Sequence, residues 1–273
     1  MILHDTHIHT EFSTDSKAPL SSQLSKATQL GLKGICLTDH MDYEFPVDQY
    51  PTDDGTSPFT FDLAAYKEEI FKQKEVFSSL EISTGVECGM QINPIVIQKN
   101  TDLSNDPDLD YIIGSLHLVD RKDPYARSFW KNQNAPDLVT HYFEQLYENL
   151  LAFHRFDSLG HLDYIVRYAP DSFHYDPKDN RELVIEILSF LIRHDIALEI
   201  NTSGWKATPN PNPHFTILKW YQQLGGKLIT IGSDAHDPEH LGFCFERLRD
   251  ELSLIGFHEY VTFNRHTPVI HAL

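Results

Sequence analysis

Two histidines two residues apart, His7 and His9, stand near the start of the chain, and an aspartate and a histidine with the same spacing, Asp234 and His236, stand near its end. Side chains two apart on a strand point to one face, so each pair can reach a single ion; Asp5 shares the face of His7 and His9. Between the pairs come Thr38-Asp39-His40, Gly85-Val86-Glu87, Ser115-Leu116-His117 and Gly160-His161. With Asp15 these supply nine potential ligands: His7, His9, Asp15, His40, Glu87, His117, His161, Asp234 and His236. One ion takes about three to five ligands, so this set implies two or three ions. Imidazole and carboxylate without thiolate suit zinc, iron(II) or manganese, whereas a closed structural zinc site is usually built with cysteine. A carboxylate shared by two ions about 3.5–4 Å apart fixes a bridging water, which becomes hydroxide near neutral pH and attacks phosphorus or a carbonyl. A third ion would help to neutralise a phosphate dianion and its leaving oxygen. The chemistry is metal-assisted hydrolysis, with a phosphate ester ahead of an amide.

The elements that must position these groups recur along the chain. Seven apolar runs end in such side chains: Met1–Leu3, Gly34–Leu37, Leu80–Val86, Tyr111–Ile113, Phe156–Leu159, Ile196–Ile200 (ending at Asn201) and Lys227–Ile231. Strands with polar C-terminal tips, separated by helices, form a barrel with its chemistry on one face. The spacing predicts helices over Leu20–Leu30, Asp62–Ser79, Pro136–Phe153, Lys178–Ile192, Asn212–Leu224 and Glu239–Ile255, then a short strand near Tyr260–Phe263. Pro19 opens the first helix, Asp62 caps the second, and Gly225-Gly226 and Gly256 stop the last two. No Gly/Ser linker or charge block divides the chain, and no fixed-period repeat is evident, so residues 1–273 read as one domain. Two connections, Met41–Thr60 and Val119–Ala135, are too long for simple links and are expected to cover the site.

At 273 residues, 41% apolar and 23% charged, the chain has the composition of a soluble globular protein. No apolar run is long enough to span a membrane, and Met1–His9 lacks the character of a secretory signal. Cys36, Cys88 and Cys244 are far apart and form no Cys-x-x-Cys, so they read as small buried residues in a reducing cytoplasm. A net charge of −18 opposes nucleic acid and anionic membranes, so an anionic substrate would need cations within the site. The oligomeric state is not legible.

The motifs Asp5-Thr6-His7-Ile8-His9-Thr10, Ser13, Asp15, Thr38-Asp39-His40, Gly85-Val86-Glu87, Gly114-Ser115-Leu116-His117, Gly160-His161-Leu162-Asp163 and Gly232-Ser233-Asp234-Ala235-His236 resemble the polymerase-and-histidinol-phosphatase (PHP) superfamily. The chain is most similar to its stand-alone histidinol-phosphate phosphatases, and the resemblance covers essentially its whole length. It implies a distorted (β/α)7 TIM-like barrel with three divalent metal ions at the C-terminal ends of the strands. It places His7, His9, Glu87 and Asp234 on one ion, Glu87 with His117 and His161 on a second, and Asp15, His40 and His236 on a third; some relatives have histidine in place of Asp15. The implied reaction is hydrolysis of L-histidinol phosphate to histidinol and inorganic phosphate in histidine biosynthesis, by in-line attack of the bridging hydroxide, with Asp234 shuttling the proton.

For the phosphate, Arg167 is the first choice. Lys206 stands where such phosphatases tend to have an arginine and offers a point charge in place of a bidentate fork; Lys17 and Arg127 are weaker candidates. Asn201 reads as a hydrogen-bonding group for substrate or ligands, and Asp42, Tyr43, Glu44 and Phe45 as receivers of the ammonium and imidazole. His4 reads as structural, and the histidines outside the ligand set as surface groups. The rivals are a PHP phosphatase for phosphotyrosine or nucleotides and an amidohydrolase, although no lysine ends a strand. A non-catalytic or DNA-associated metal module is the third.

Overall fold

The computed structural model describes residues 1–50 and 58–273. Seven parallel strands form its centre: β1 (His4–Asp5), β2 (Gly34–Leu37), β4 (Glu81–Gly89), β5 (Tyr111–Ser115), β6 (Ser158–Leu159), β7 (Ala197–Asn201) and β8 (Ile229–Gly232). They pair in that order, and a two-residue strand, β3 (His40–Met41), adds beside the C-terminal end of β4. The ring closes from β8 back to β1: Thr6 N–H donates to the Ile231 carbonyl at 3.0 Å, His9 N–H to Ala235 at 3.0 Å and Asp234 N–H to His7 at 2.8 Å. Strands β1, β2 and β5 to β8 are buried along their whole length, as parallel strands must be when helices cover the outer face. The architecture is the distorted (β/α)7 barrel.

The covering helices are α1 (Leu20–Leu30), α2 (Leu63–Val76), α3 (Pro94–Ser104), α4 (Ala135–Ala152), α5 (Arg181–Arg193), α6 (Phe215–Gln223) and α7 (Phe245–Ile255). α1 ends at Gly31, whose φ of +71° is the left-handed stop that glycine adopts without strain. The Asp62 side chain accepts from Ala64 N and Ala65 N, as an N-cap should. α4 buries Val139, Tyr142, Phe143, Leu146 and Leu150, which recur at three- and four-residue spacing, while Leu151 beside them is exposed. The anticipated starts at Lys178, Asn212 and Glu239 are each late in the structure. A 3-10 turn, Pro177–Asn180, precedes α5, and Asn212 turns its side chain to Asp163 and Arg167. Before α7, the left-handed Gly242 and Cys244 interrupt the helix.

The sequence reading missed α3 and the final strand. α3 buries only Val96, Asn100 and Leu103, too thin a stripe to register, although Asn93 caps it and Pro94 starts it. The chain ends in a hairpin of β9 (Glu259–Asn264) and β10 (Thr267–Ala272), and Val261 and Phe263 of β9 pack with Cys36, Tyr111, Ile113 and Ala197. All three cysteines are free. Among the described residues, no helix is long and apolar enough to cross a membrane. Of the long Met41–Thr60 connection, residues 51–57 lie outside the described residues.

Candidate metal centre

The nine side chains named from spacing lie together, around Glu87. This carboxylate, carried near the end of β4, is fully buried. Its Oε1 faces His161 Nε2 at 2.9 Å and His117 Nε2 at 3.1 Å, while Oε2 faces His40 Nδ1 at 3.0 Å, His7 Nε2 at 3.2 Å and His9 Nε2 at 3.5 Å. Asp234 Oδ1 stands 3.3 Å from His9 Nε2 and 3.7 Å from His7 Nε2. At the rim, Asp15 Oδ2 lies 3.2 Å from His236 Nε2 and 3.7 Å from His40 Nε2. Among the described residues four groups have donor atoms spaced to hold a cation: His7, His9 and Glu87; Glu87, His117 and His161; His9, His40 and His236; and His40, Asp42 and His117. His9 occurs in two of them but has one free nitrogen, so it can serve one ion.

The donor set fits divalent cations. Glu87 Oε2 and His40 Nδ1 are buried and 3.0 Å apart, and among the described residues neither has a well-formed hydrogen bond, which leaves both atoms open to a cation. Burial alone would raise the Glu87 carboxyl, but the charges of His7, His117 and His40 hold it well below the ordinary carboxylate range. Asp234 behaves alike: burial opposes its charge, but His7, His9, Arg167 and His236 keep it ionised. Burial lowers His9 and His161, keeping these imidazoles neutral, the form in which imidazole ligates. Against burial, the carboxylates beside His7, His40, His117 and His236 raise theirs and draw positive charge into the cluster, as they would a cation.

A second ring of residues fixes which nitrogen each histidine presents. His7 Nδ1 donates to Glu199 at 2.5 Å and His117 Nδ1 donates to Asp42 at 2.6 Å. Ser13 Oγ gives its one proton to Asp39, so His9 Nδ1, 3.0 Å from it, must donate. In all three rings Nε2 is left facing the cluster. Two glycines allow the close approach. A Cβ on Gly232 would collide with His7 Cβ, and one on Gly160 with Ser115 Oγ, the hydroxyl that donates to Glu87 at 2.7 Å. Asp234 itself has a φ of +54°, a left-handed conformation that costs about 1–2 kcal/mol outside glycine and aspartate tolerates better than most.

Several expectations need correction. Asp42 lines the cavity, but it is buried and its Oδ2 accepts from His117 Nδ1, a role the sequence reading did not assign to it. Asn201 is buried and, of its two expected roles, takes the one toward the ligands. Its amide donates to Asp234 at 3.2 Å and to Glu199 at 3.3 Å, while its oxygen accepts from Ser203. Lys206 stands off the cavity, its Nζ 5.6 Å above the Phe243 ring; burial lowers its pKa while Asp234 opposes that shift. Lys17 and Arg127 are exposed. Asp5 clasps the backbone N–H groups of Ser233 and Gly242 rather than joining the ligands. His4 is structural, bonded through Nδ1 to the Tyr260 hydroxyl at 2.7 Å.

A cavity of about 300 Å³ opens over the cluster. Its walls include Phe45, Tyr50, Phe59, Tyr125, Tyr164 and Tyr168, drawn in part from the two long connections. Arg167 also lines it: Nη1 donates to Asp234 Oδ2 at 2.9 Å, Nε to Asn212 at 2.5 Å, and buried Nη2 has no partner among the described residues. Asp123, missed by the sequence reading, also lines the cavity. Its Oδ1 accepts from Tyr125 N at 2.8 Å, and among the described residues it has no ion pair; burial raises its pKa.

The PHP domain model matches residues 5–203. The chain belongs to the PHP domain family. A probable histidinol-phosphatase of Thermotoga maritima is 34% identical over 94% of both chains. Another from Clostridium acetobutylicum is 31% identical over 90% of this chain and 91% of its own. The crystal structure of histidinol phosphate phosphatase from Lactococcus lactis, complexed with zinc, L-histidinol and phosphate, superposes with a TM-score of 0.85. It is 28% identical and covers 98% of this chain and 99% of its own.

Proposed function

We propose that this PHP protein is a metal-dependent phosphomonoesterase that hydrolyses L-histidinol phosphate to L-histidinol and inorganic phosphate. The observation that carries the reading is the division of Glu87, one oxygen facing His117 and His161 and the other His7, His9 and His40, beneath a cavity that also holds an arginine. The Lactococcus lactis enzyme, with zinc, L-histidinol and phosphate bound, supports it. His7, His9, Asp234 and Glu87 would hold one ion, Glu87, His117 and His161 a second, and Asp15, His40 and His236 a third, with zinc, iron or manganese as candidates. When bound, such ions polarise the phosphoryl oxygens and make water a nucleophile near neutral pH.

The chain's own residues supply the remainder. Arg167 offers its unpaired Nη2 to a phosphate oxygen while Asp234 and Asn212 hold the guanidinium in place. Asp234, ionised and beside both Arg167 and His9, is placed to take and return a proton at Oδ1. The aromatic wall and Asp123 suit a substrate whose far end is a cationic amine and an imidazole. Phosphate release from L-histidinol phosphate, phosphotyrosine, nucleoside monophosphates and p-nitrophenyl phosphate tests the assignment. L-histidinol phosphate is expected to lead in kcat/KM, and a nucleotide or phosphotyrosine well ahead of it would overturn the substrate.

Two substitutions separate the ends of the substrate. Arg167→Ala is expected to lower kcat/KM about 100-fold, and Arg167→Lys to recover little of it, because a point charge cannot keep both Asn212 and Asp234 while reaching phosphate. Loss confined to a few-fold in steady-state kinetics would remove Arg167 from the phosphate grip. Asp123→Asn keeps an oxygen for Tyr125 N and removes only charge. Its KM for L-histidinol phosphate should rise about tenfold, with inhibition by free L-histidinol weakened equally and inhibition by inorganic phosphate unmoved. Equal weakening of both inhibitors would contradict a role at the cationic end.

A further inference from the structure

Glu199 touches neither the cavity nor, directly, the cluster of ligand atoms around Glu87, yet it is a carboxylate with no exposure at all. It sits on β7 between the tips that carry the two ligand sets. Its Oε1 accepts the Nδ1 proton of His7, a member of the first set. Its Oε2 accepts the backbone N–H of His161, 2.6 Å away, at the tip that carries a member of the second set. The Asn201 amide then reaches from Glu199 Oε2 to Asp234 Oδ2, returning to the first set. Gly232 leaves the space for this arrangement, since a Cβ there would stand 3.0 Å from Glu199 Oε1 as well as striking His7. Of the other buried acceptors in the same ring, Asp42 holds His117, and Ser13 Oγ takes both His9 Nδ1 and the backbone N–H of His40, a member of the third set. Glu199 is the one that joins the two sets sharing Glu87 through both of its oxygens.

We propose that Glu199 is a positioning residue that couples the two ion sites sharing Glu87, so that their ions are held and lost as a unit. The proposal rests on the ligand sets assigned above. Its physical basis is that one carboxylate supplies two acceptors to two donors on different strands. The acceptor at His7 Nδ1 fixes the tautomer whose Nε2 lone pair can ligate. The acceptor at His161 N fixes the backbone from which that ring reaches Glu87. Glutamine has almost the same shape but one acceptor oxygen. If that oxygen serves His7, the amide N–H groups oppose the His161 N–H; if it serves His161, they donate to His7 Nδ1 and move its proton to Nε2, which cannot then ligate. Either way one site loses its support, and the loss reaches the other through Glu87, whose two oxygens the two sets share.

The test is a chelator titration of zinc-loaded wild type, Glu199→Gln and Asp42→Asn, with the zinc remaining per chain measured by plasma emission spectrometry. The melting temperature of each metal-stripped protein is measured alongside. Glu199→Gln is expected to release two ions together at chelator concentrations about 10–100-fold lower than wild type. Asp42→Asn should weaken one. The stripped proteins should melt close together, with the zinc-induced rise reduced most in Glu199→Gln. Weakening of a single ion in Glu199→Gln, or a lowered melting temperature of the stripped protein with unchanged zinc retention, would overturn the coupling. Wild-type protein that retains no more than one ion would instead overturn the ligand sets on which it rests.

Discussion

Glu87→Gln is expected to abolish turnover, with kcat falling on the order of 10³-fold or more, and to leave at most one ion per chain. Five imidazole nitrogens lie within 3.5 Å of its two oxygens, and among the described residues no other carboxylate contacts both groups of imidazoles. Glutamine keeps the length of the side chain but presents N–H donors where one group of imidazoles now finds an oxygen. It also removes the negative charge that balances this concentration of nitrogen ligands. The Ser115 hydroxyl, which donates to Oε1, holds the carboxylate in its present rotamer and would hold the amide oxygen there too. The amide N–H groups would then face His7, His9 and His40, making the first set the more damaged. Metal analysis and phosphate release on the same preparation check this. A Glu87→Gln protein with its full metal content and near-normal turnover would mean that Glu87 is not shared between ions.

Asp234→Asn should lower kcat by about 10²–10⁴-fold while costing no more than the one ion it contacts. Asparagine tolerates the left-handed backbone found here, so the substitution is conservative in conformation. It is not conservative in hydrogen bonding. Oδ2 accepts from Arg167, Asn201 and Ser203, three donors that will claim the amide oxygen. The amide nitrogen is then turned toward His7, His9 and His236, where Oδ1 now stands, and can neither ligate nor accept a proton. Zinc content and single-turnover phosphate release distinguish the roles: metals retained with turnover lost assigns proton transfer, and metals lost assigns ligation. Retention of both would contradict either role for Asp234.

What the sequence revealed depended on how locally each feature is encoded. His7 and His9, or Asp234 and His236, declare a shared face by spacing alone, and the apolar runs before them declare the strands. The nine-residue set was therefore legible before any coordinates. The groups that orient those ligands were not. Glu199 lies 192 residues from the histidine it holds, and Asp42 lies 75 residues from His117, so nothing in their neighbourhoods marks them. Asp42 was read only as a receiver of substrate for that reason: an aspartate in an acidic, aromatic loop gives no sign that it will also hold a ligand's ring. Asp123 escaped notice because its lack of an ion pair is a property of three-dimensional surroundings. β10, with five of its six residues exposed, has no buried alternation to announce it.

The central claim is hydrolysis of L-histidinol phosphate at a site assembled around Glu87 from several divalent ions. It is tested most directly by stripping the protein of metal and adding zinc back in measured equivalents while following phosphate release from L-histidinol phosphate. The account predicts negligible turnover in the stripped protein and activity that climbs with added zinc until three ions are bound per chain. Full turnover in protein shown to be free of metal, or zinc-loaded protein that releases no phosphate from this substrate, would contradict it.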